Sequence, residues 1–319
     1  MEGSFYMRYT KQTLAFLTSL SMLASAAVQS CAAEYRETGI FDIFTEKEEL
    51  PEDVLPERGD RSPDKEKKTD DSGQKQRNER HGERVCGAST PGASGWYCKH
   101  MEGGERPPLP SEMSFIGEHG GYYLGEDEKV IYLTFDAGYE NGNVERILDT
   151  LRAEEVPAAF FILENLVSGN TALVQRMIDE GHTVCNHTAV HPDMTTKTEA
   201  EFGAELARLE RVYKDTLGVD IARYYRPPEG RFTEENLKWA ESLGYRTIFW
   251  SYAYADWDNE HQPPTDKALK KVLSGTHNGE VLLLHPTSST NADILPQLIG
   301  EWKRMGYRFG TLDELTERK

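Results

Sequence analysis

From residue 130 to the C-terminus the sequence predicts an α/β domain built on a parallel sheet. Three observations carry that prediction. Apolar runs of strand length, such as VIYLTF at 130–135, alternate with segments of helical period. Roughly seven such strand–helix units fit into the region, the pattern of a parallel sheet, open or closed. The polar residues able to do chemistry fall at the C-terminal ends of the strands, which share one rim if the sheet closes.

The elements follow in order. After VIYLTF, the spacing of Val144, Ile147, Leu148 and Leu151 predicts a helix, and AAFFI (158–162) a second strand. Leu173, Val174, Met177 and Ile178 mark the next helix, and residues 182–186 the third strand. Thr198 opens a long helix with Glu201 three residues on, a capping box, and its apolar stripe is Phe202, Leu206, Leu209, Val212 and Tyr213. RYYR (223–226) reads as the fourth strand, followed by a helix through Leu237, Ala240 and Leu243, and YRTIFW (245–250) as the fifth. A short helix leads to VLLL (281–284). The last helix carries Ile294, Leu295, Leu298 and Trp302 and is followed by YRF (307–309).

The first third of the chain has a different character. Residues 1–33 read as a secretory or lipoprotein signal. Arg8 and Lys11 precede a mainly apolar stretch at 13–28 that is short for a membrane span. VQSC (28–31) loosely resembles a lipoprotein cleavage box, which would lipidate Cys31. Residues 34–94 read as a disordered linker of mixed charge with few large apolar groups. Residues 95–128 read as a lead-in packing on the outside of the domain proper, which spans 129–315. An exported chain would act outside the cytoplasm, secreted or anchored through its N-terminus. Cys86 and Cys98 could then pair across a short loop, whereas Cys185, inside a strand, reads as a buried thiol. A net charge of −18 argues against nucleic acid as a partner. No protein partner is evident, and a monomer is expected.

Five segments bear the chemistry. Asp136 ends the first strand in TFDAGYENG (134–142). Near a cation it would stay ionised and take a proton from water, although a strand-end aspartate can also cap a turn. His187 and His191 in NHTAVHP (186–192) stand four apart, the spacing that puts two side chains on one side of a helical turn. Two neutral imidazoles facing one point could share a divalent ion, and Asn186 and Thr188 are placed to orient them. Thr188 stands where an HExxH peptidase has its glutamate, so that activity is excluded. In RPPEG (226–230) two prolines stiffen the backbone beside Arg226, which would hold Asp136 ionised or anchor substrate. In YADWD (254–258) Asp256 could pair with Arg226, and Trp257 could stack on a sugar face or belong to the core. His285 follows an apolar strand in LLLHP (282–286) and fits a general acid opposite a base and a metal.

TFDAG, HTAVHP, RPPEG, ADW and LLLHP, in that order, resemble the five motifs of the polysaccharide deacetylase family, the NodB-homology domain, over about residues 129–315. The resemblance implies a distorted (β/α)7 barrel and metal-dependent removal of acetyl groups from N-acetylated sugars. It gives Asp136 the role of base, His187 and His191 the metal with Asp136 as a further ligand, Arg226 the tuning of the base, and His285 the role of acid. It has Asp256 steady Arg226, and Tyr139, Thr188, Pro228 and Trp257 line the substrate site. A backbone N–H near Tyr139 would meet the oxyanion. YENG, the residues around Glu229, and FWSYAYADW resemble the muramic δ-lactam de-N-acetylases, which act on peptidoglycan of the spore cortex. The chain departs from the family at Ala137, where a second aspartate usually completes the metal site and the δ-lactam subgroup has asparagine. Ala137 has no donor, so metal affinity should fall, with zinc the expected ion. The leading expectation is therefore a metal-dependent de-N-acetylase of a peptidoglycan glycan strand, acting on N-acetylmuramic acid. The alternatives are a catalytically silent glycan-binding module, an acetyl-xylan-type esterase, and a chitooligosaccharide deacetylase.

Overall fold

The computed structural model describes residues 92–317. The signal segment, Cys31, Cys86 and the linker up to residue 91 lie outside the described residues. Within them, strand β1 (Ser94–Gly95) pairs antiparallel with β7 (Arg231–Phe232). The main sheet is formed by β2 (Gly121–Tyr122), β3 (Val130–Ala137), β4 (Ala159–Ile162), β5 (Thr183–Asn186), β6 (Ala222–Tyr225), β8 (Arg246–Ile248), β9 (Glu280–Leu284) and β10 (Arg308–Phe309). Its strands run parallel in the order β10-β3-β4-β5-β6-β8-β2, with β9 on the other flank of β3 from Ile131 to Phe135. Just past β8, Tyr252 bridges in parallel to Leu282 of β9, so the sheet returns to β3 and closes. The architecture is the distorted (β/α)7 barrel expected from the sequence, and each of the strands read there is present.

A side chain joins the backbone in closing the seam. Where β8 loses regular pairing, the Ser251 N–H donates to Val281 O at 2.9 Å, and Ser251 Oγ accepts the Val281 N–H at 2.9 Å. A hydroxyl thus completes a seam that the backbone ladder leaves open.

The helices are α1 (Asn143–Ala153), α2 (Glu164–Gly169), α3 (Thr171–Asp179), α4 (Glu199–Leu217), α5 (Glu234–Ser242), α6 (Thr265–Gly275), α7 (Ser289–Arg304) and α8 (Leu312–Glu317). Helix α4 starts as its capping box requires: Thr198 accepts from the Glu201 N–H while the Glu201 carboxylate accepts from the Thr198 N–H. No helix among the described residues is long and apolar enough to cross a membrane.

Alternation along the strands divides the core. Ile131, Leu133, Phe135 and Ala137 of β3 join Phe160 and Ile162 of β4 in the cluster that also holds Val144, Ile147 and Leu298 of the helices. Val130, Tyr132, Ala159, Phe161, Cys185, Tyr224, Ile248 and Val281 form the barrel interior, joined by Leu312 and Leu315 of α8. Thr134 and Asp136 share the strand face of Val130 and Tyr132 and so belong to the interior. Cys185 is a buried free thiol there.

The lead-in does more than coat the barrel. Trp96, Cys98, Met113 and Ile116 pack with Phe232, Phe249 and Trp250, and Trp96 Nε1 donates to Trp250 O at 2.9 Å. Cys98, half of the expected disulfide, is a free thiol whose pKa burial pushes up to about 12. Gly121–Tyr122 enters the sheet itself as β2, parallel to β8. Two residues are too few to show a period, and the entry turn admits only glycine, since a Cβ on Gly121 would stand 2.8 Å from Ile116 O.

Candidate active site

Asp136, His187, Arg226, Asp256 and His285 come from five different strands or the loops that follow them, and all meet at the C-terminal rim. Arg226 organises the centre. It is fully buried, with its guanidinium carbon 4.1 Å from the centroid of Phe161. Nη1 donates to Asp136 Oδ1 at 2.7 Å and Nη2 to Thr134 Oγ1 at 2.9 Å and Phe249 O at 3.2 Å, while Nε donates to Ile248 O at 3.0 Å. Thr134 in turn donates to Leu282 O at 2.7 Å. The cation is thus tied to the ends of β3 and β8 and aimed at one carboxylate oxygen. Burial alone would raise the Asp136 carboxyl, but Arg226, with His187 and His285, outweighs it and holds the group below the usual carboxylate range.

The other Asp136 oxygen, Oδ2, lies 3.7 Å from His187 Nε2. His187 Nδ1 is 2.9 Å from the Arg226 carbonyl. A carbonyl only accepts, so Nδ1 carries the proton and the Nε2 lone pair faces Asp136. The His191 ring packs edge-on against His187, with centroids 4.9 Å apart and planes at 70°. Both rings are biased towards the neutral form: burial first, then the nearness of His187, pushes His191 down to about 3, and burial lowers His187 despite Asp136.

The expectation that helical spacing pairs these rings is wrong in its cause. Residues 187–193 form no helix. Thr188 and His191 both take left-handed backbone, with φ of 73° and 60°. Side-chain acceptors hold that bend. Asn186 Oδ1 accepts the Thr188 N–H at 2.8 Å, and Thr188 Oγ1 accepts the His191 N–H at 2.9 Å. Glu205 Oε1 accepts from Ala189 at 3.1 Å and Val190 at 2.9 Å. Thr188, which the sequence reading put at the substrate site, is fully buried and its hydroxyl serves the turn. Glu205, on α4, went unnoticed because nothing in a helical stripe marks a carboxylate that reaches back to an earlier loop.

Asp256 does not steady Arg226, as the sequence suggested; it is bound to His285. Its Oδ1 accepts from His285 Nδ1 at 2.7 Å, and its Oδ2 accepts the His285 N–H at 2.8 Å. The reason is positional: Arg226 spends its donors on Asp136, Thr134 and two carbonyls, while the loop past β8 delivers Asp256 to the end of β9. Asp256 is 1% exposed and the His285 side chain 26%. Burial would lower the His285 imidazole, but Asp256, helped by Asp136, prevails and raises it. Asn291, missed in the sequence, donates Nδ2 to Asp256 Oδ2 at 2.5 Å.

The remaining predicted residues surround the rim. Tyr139 is exposed on the loop after β3, and its hydroxyl accepts from Asn259. Trp257 is half-buried. Pro228 is buried at the start of the turn Pro228–Gly230, in which Glu229 takes φ of 56°. Ala137 is fully buried in the helix-facing cluster, so it supplies nothing to the imidazole pair.

Among the described residues no group of three or more His, Cys, Asp or Glu is arranged to hold a metal ion by itself. The donor chemistry still fits a divalent cation. Two neutral imidazoles adjoin an ionised carboxylate, one ring has its tautomer set by a backbone carbonyl, and the 3.7 Å gap from Nε2 to Oδ2 is too long for a hydrogen bond.

Residues 124–248 match the family model for polysaccharide deacetylase, a span that includes Asp136, His187, His191 and Arg226 but not Asp256 or His285. The peptidoglycan-N-acetylmuramic acid deacetylase PdaA of Bacillus subtilis is 40% identical over 227 residues, covering 70% of this chain and 86% of PdaA. The chain belongs to the polysaccharide deacetylase family. The solved structure of Bacillus subtilis PdaA, a family 4 carbohydrate esterase, superposes with a TM-score of 0.68 at 37% identity, covering 70% of this chain and 96% of that one. A family 4 pseudoenzyme from Bacillus anthracis superposes with a TM-score of 0.57 at 29% identity, covering 61% of this chain and 68% of its own. As a family member with this rim, the chain is a deacetylase, a hydrolase of linear amide bonds.

Proposed function

We propose that this deacetylase removes the acetyl group from N-acetylmuramic acid in peptidoglycan, the step that precedes muramic δ-lactam formation in spore cortex, and that it acts outside the cytoplasm. The observation that carries the chemistry is the opposed tuning of Asp136 and His285. Arg226 donates to the Asp136 carboxylate at 2.7 Å and favours its ionised form, while Asp256 accepts from the His285 ring at 2.7 Å and favours its protonated form. The similarity to PdaA favours the muramic substrate.

In this reading Asp136 takes a proton from the attacking water as that oxygen adds to the acetamide carbon. With Nδ1 on Asp256, His285 presents Nε2–H to the sugar nitrogen and protonates it as the carbon–nitrogen bond breaks, so that acetate and the free amine leave. His187 and His191, with Asp136 Oδ2 beside them, would hold the divalent cation, zinc being the expected ion. When bound, the cation supplies Lewis-acid polarisation of the carbonyl. Tyr139 and Trp257 would contact the glycan.

Acetate release from muramoyl glycan, measured with and without chelator, tests this. Metal-dependent release that disappears in Asp136→Asn supports the reading, and no release under any divalent metal sinks it.

A further inference from the structure

We infer that Asn291 is a positioning residue for the acid: it locks the Asp256 carboxylate so that one oxygen faces His285 Nδ1, and Tyr254 sets the orientation of the amide that does so. This rests on the reading of His285 as the proton donor. Asn291 lies in the first turn of α7, where its N–H donates to the capping Ser288 Oγ at 3.0 Å. From there Nδ2 donates both to Asp256 Oδ2 at 2.5 Å and to His285 O at 3.0 Å. Both partners only accept, so the amide must present its NH2 edge to them. Its Oδ1 then faces the Tyr254 hydroxyl, which donates to it. Asn291 is fully buried, Asp256 1% exposed and Tyr254 7% exposed, so water does not replace these bonds freely.

The arrangement assigns every acceptor on Asp256. Oδ1 serves the imidazole, and Oδ2 serves the His285 N–H and Asn291. Gln262 Nε2 holds the Asp256 carbonyl at 2.9 Å, which fixes the backbone but leaves the carboxylate free to turn. Without the Asn291 amide, Oδ2 keeps a single donor, and the carboxylate rotates away from the imidazole to recover another. Charged or titratable groups facing His285 are Asp256 from the loop past β8, Asp136 from β3, Arg226 from the end of β6, and His187 and His191 from the loop after β5. Of their side chains only the Asp256 carboxylate is hydrogen-bonded to Asn291, whose other bond holds the His285 carbonyl and not its ring, so a change in the ring's titration on substituting Asn291 reports the Asp256 contact.

The test uses Asn291→Leu and Tyr254→Phe in the full chain. The expected result for Asn291→Leu is a fall in kcat of about 10–100-fold with KM nearly unchanged, together with a shift of the alkaline limb of the pH–rate profile to lower pH. The His285 ring, followed by NMR, should titrate at lower pH as well. Tyr254→Phe should move both in the same direction by less, and it decides the matter if Asn291→Leu does not fold. A lower kcat or thermal midpoint with the limb and the His285 titration unmoved overturns the inference. His285→Gln tests the acid separately: full acetate release in that variant sinks the acid, while the NMR titration still decides what Asn291 does to Asp256 and His285.

Discussion

Arg226 and Asp136, 90 residues apart in sequence, meet at 2.7 Å as a nearly dry ion pair at the mouth of the barrel. The guanidinium is fully buried and the carboxylate side chain 10% exposed. Such a pair survives because almost every remaining donor on the cation is also engaged. It is therefore a fold element as well as a catalytic one, which ties the fourth predicted strand to the first.

Breaking the pair from one side should be costly. Arg226→Met leaves Asp136 ionised with no fixed counter-charge and should destabilise the domain by about 3–5 kcal/mol. Arg226→Lys keeps the charge, but one ammonium cannot reach Asp136, Thr134 and two carbonyls together, so acetate release should fall sharply while stability recovers in part. Urea denaturation alongside an acetate assay checks both. A Met variant as stable as the parent would contradict the account.

Thr134 sits one step behind that pair, giving a hydrogen to Leu282 O and accepting one from Arg226. Thr134→Val preserves volume and removes both bonds in a fully buried setting, so a loss of about 1–3 kcal/mol is expected. A fall in kcat should accompany it, since Arg226 is then less well aimed. Equal urea midpoints for parent and variant would show that the hydroxyl contributes nothing.

Acid should weaken the fold for a reason that can be signed. His182, His187, His191 and His277 are all held below the ordinary imidazole value, chiefly by burial. A depressed group contributes stability above its unfolded value, about 6.5, and loses it as pH falls towards its folded value, which for His191 is about 3. Asp136, also depressed, adds the same trend below its unfolded value of about 3.9. His285, raised, works oppositely: its contribution is complete below about 6.5 and is lost as pH rises through its folded value. The four imidazoles are opposed by His285 and by the Glu280 carboxyl, which burial pushes well up; with that carboxyl removed in Glu280→Gln, the urea midpoint of the metal-free protein should fall between pH 7 and pH 5. On the proposed mechanism, activity should decline on the alkaline side as His285 loses its proton, with Asp256→Asn moving that limb downward. A midpoint that rises on acidification would refute the assignment.

From 130 onward the strands were legible as apolar runs because both their faces are buried, and the helices because burial on one face leaves a period, with the capping box at Thr198 announcing its helix. The site residues were legible for a different reason: catalytic side chains of a barrel stand at strand ends. Pairings were not. Asp256 was expected on Arg226 because opposite charges attract, yet which partner lies within reach depends on how far each loop travels past its strand. The two imidazoles converge through left-handed backbone at Thr188 and His191, a conformation that side-chain type scarcely signals outside glycine and asparagine. Asn291 and Glu205 act through single long-range hydrogen bonds, which leave no pattern in one sequence. The short strand β2 is beneath the length at which alternation can be seen.

Glu205 offers the sharpest test of how the imidazole pair is held. Its Oε1 accepts two successive N–H groups, of Ala189 and Val190, in the turn between His187 and His191. With Ala137 giving no donor, the proposed cation depends on the mutual angle of those two rings more than it would with a third side chain. Glu205→Ala removes the support without touching either ring, and alanine suits the middle of α4. The expected outcome is zinc affinity weaker by about 10–100-fold by calorimetry, while helix content stays at the parent's level. Acetate release should return at raised zinc, since Asp136 and His285 are untouched. His191→Ala should lose zinc binding outright and show no such recovery. Unchanged zinc affinity in Glu205→Ala would mean that the rings hold their angle without the turn, and the cation would then owe its place to some other restraint.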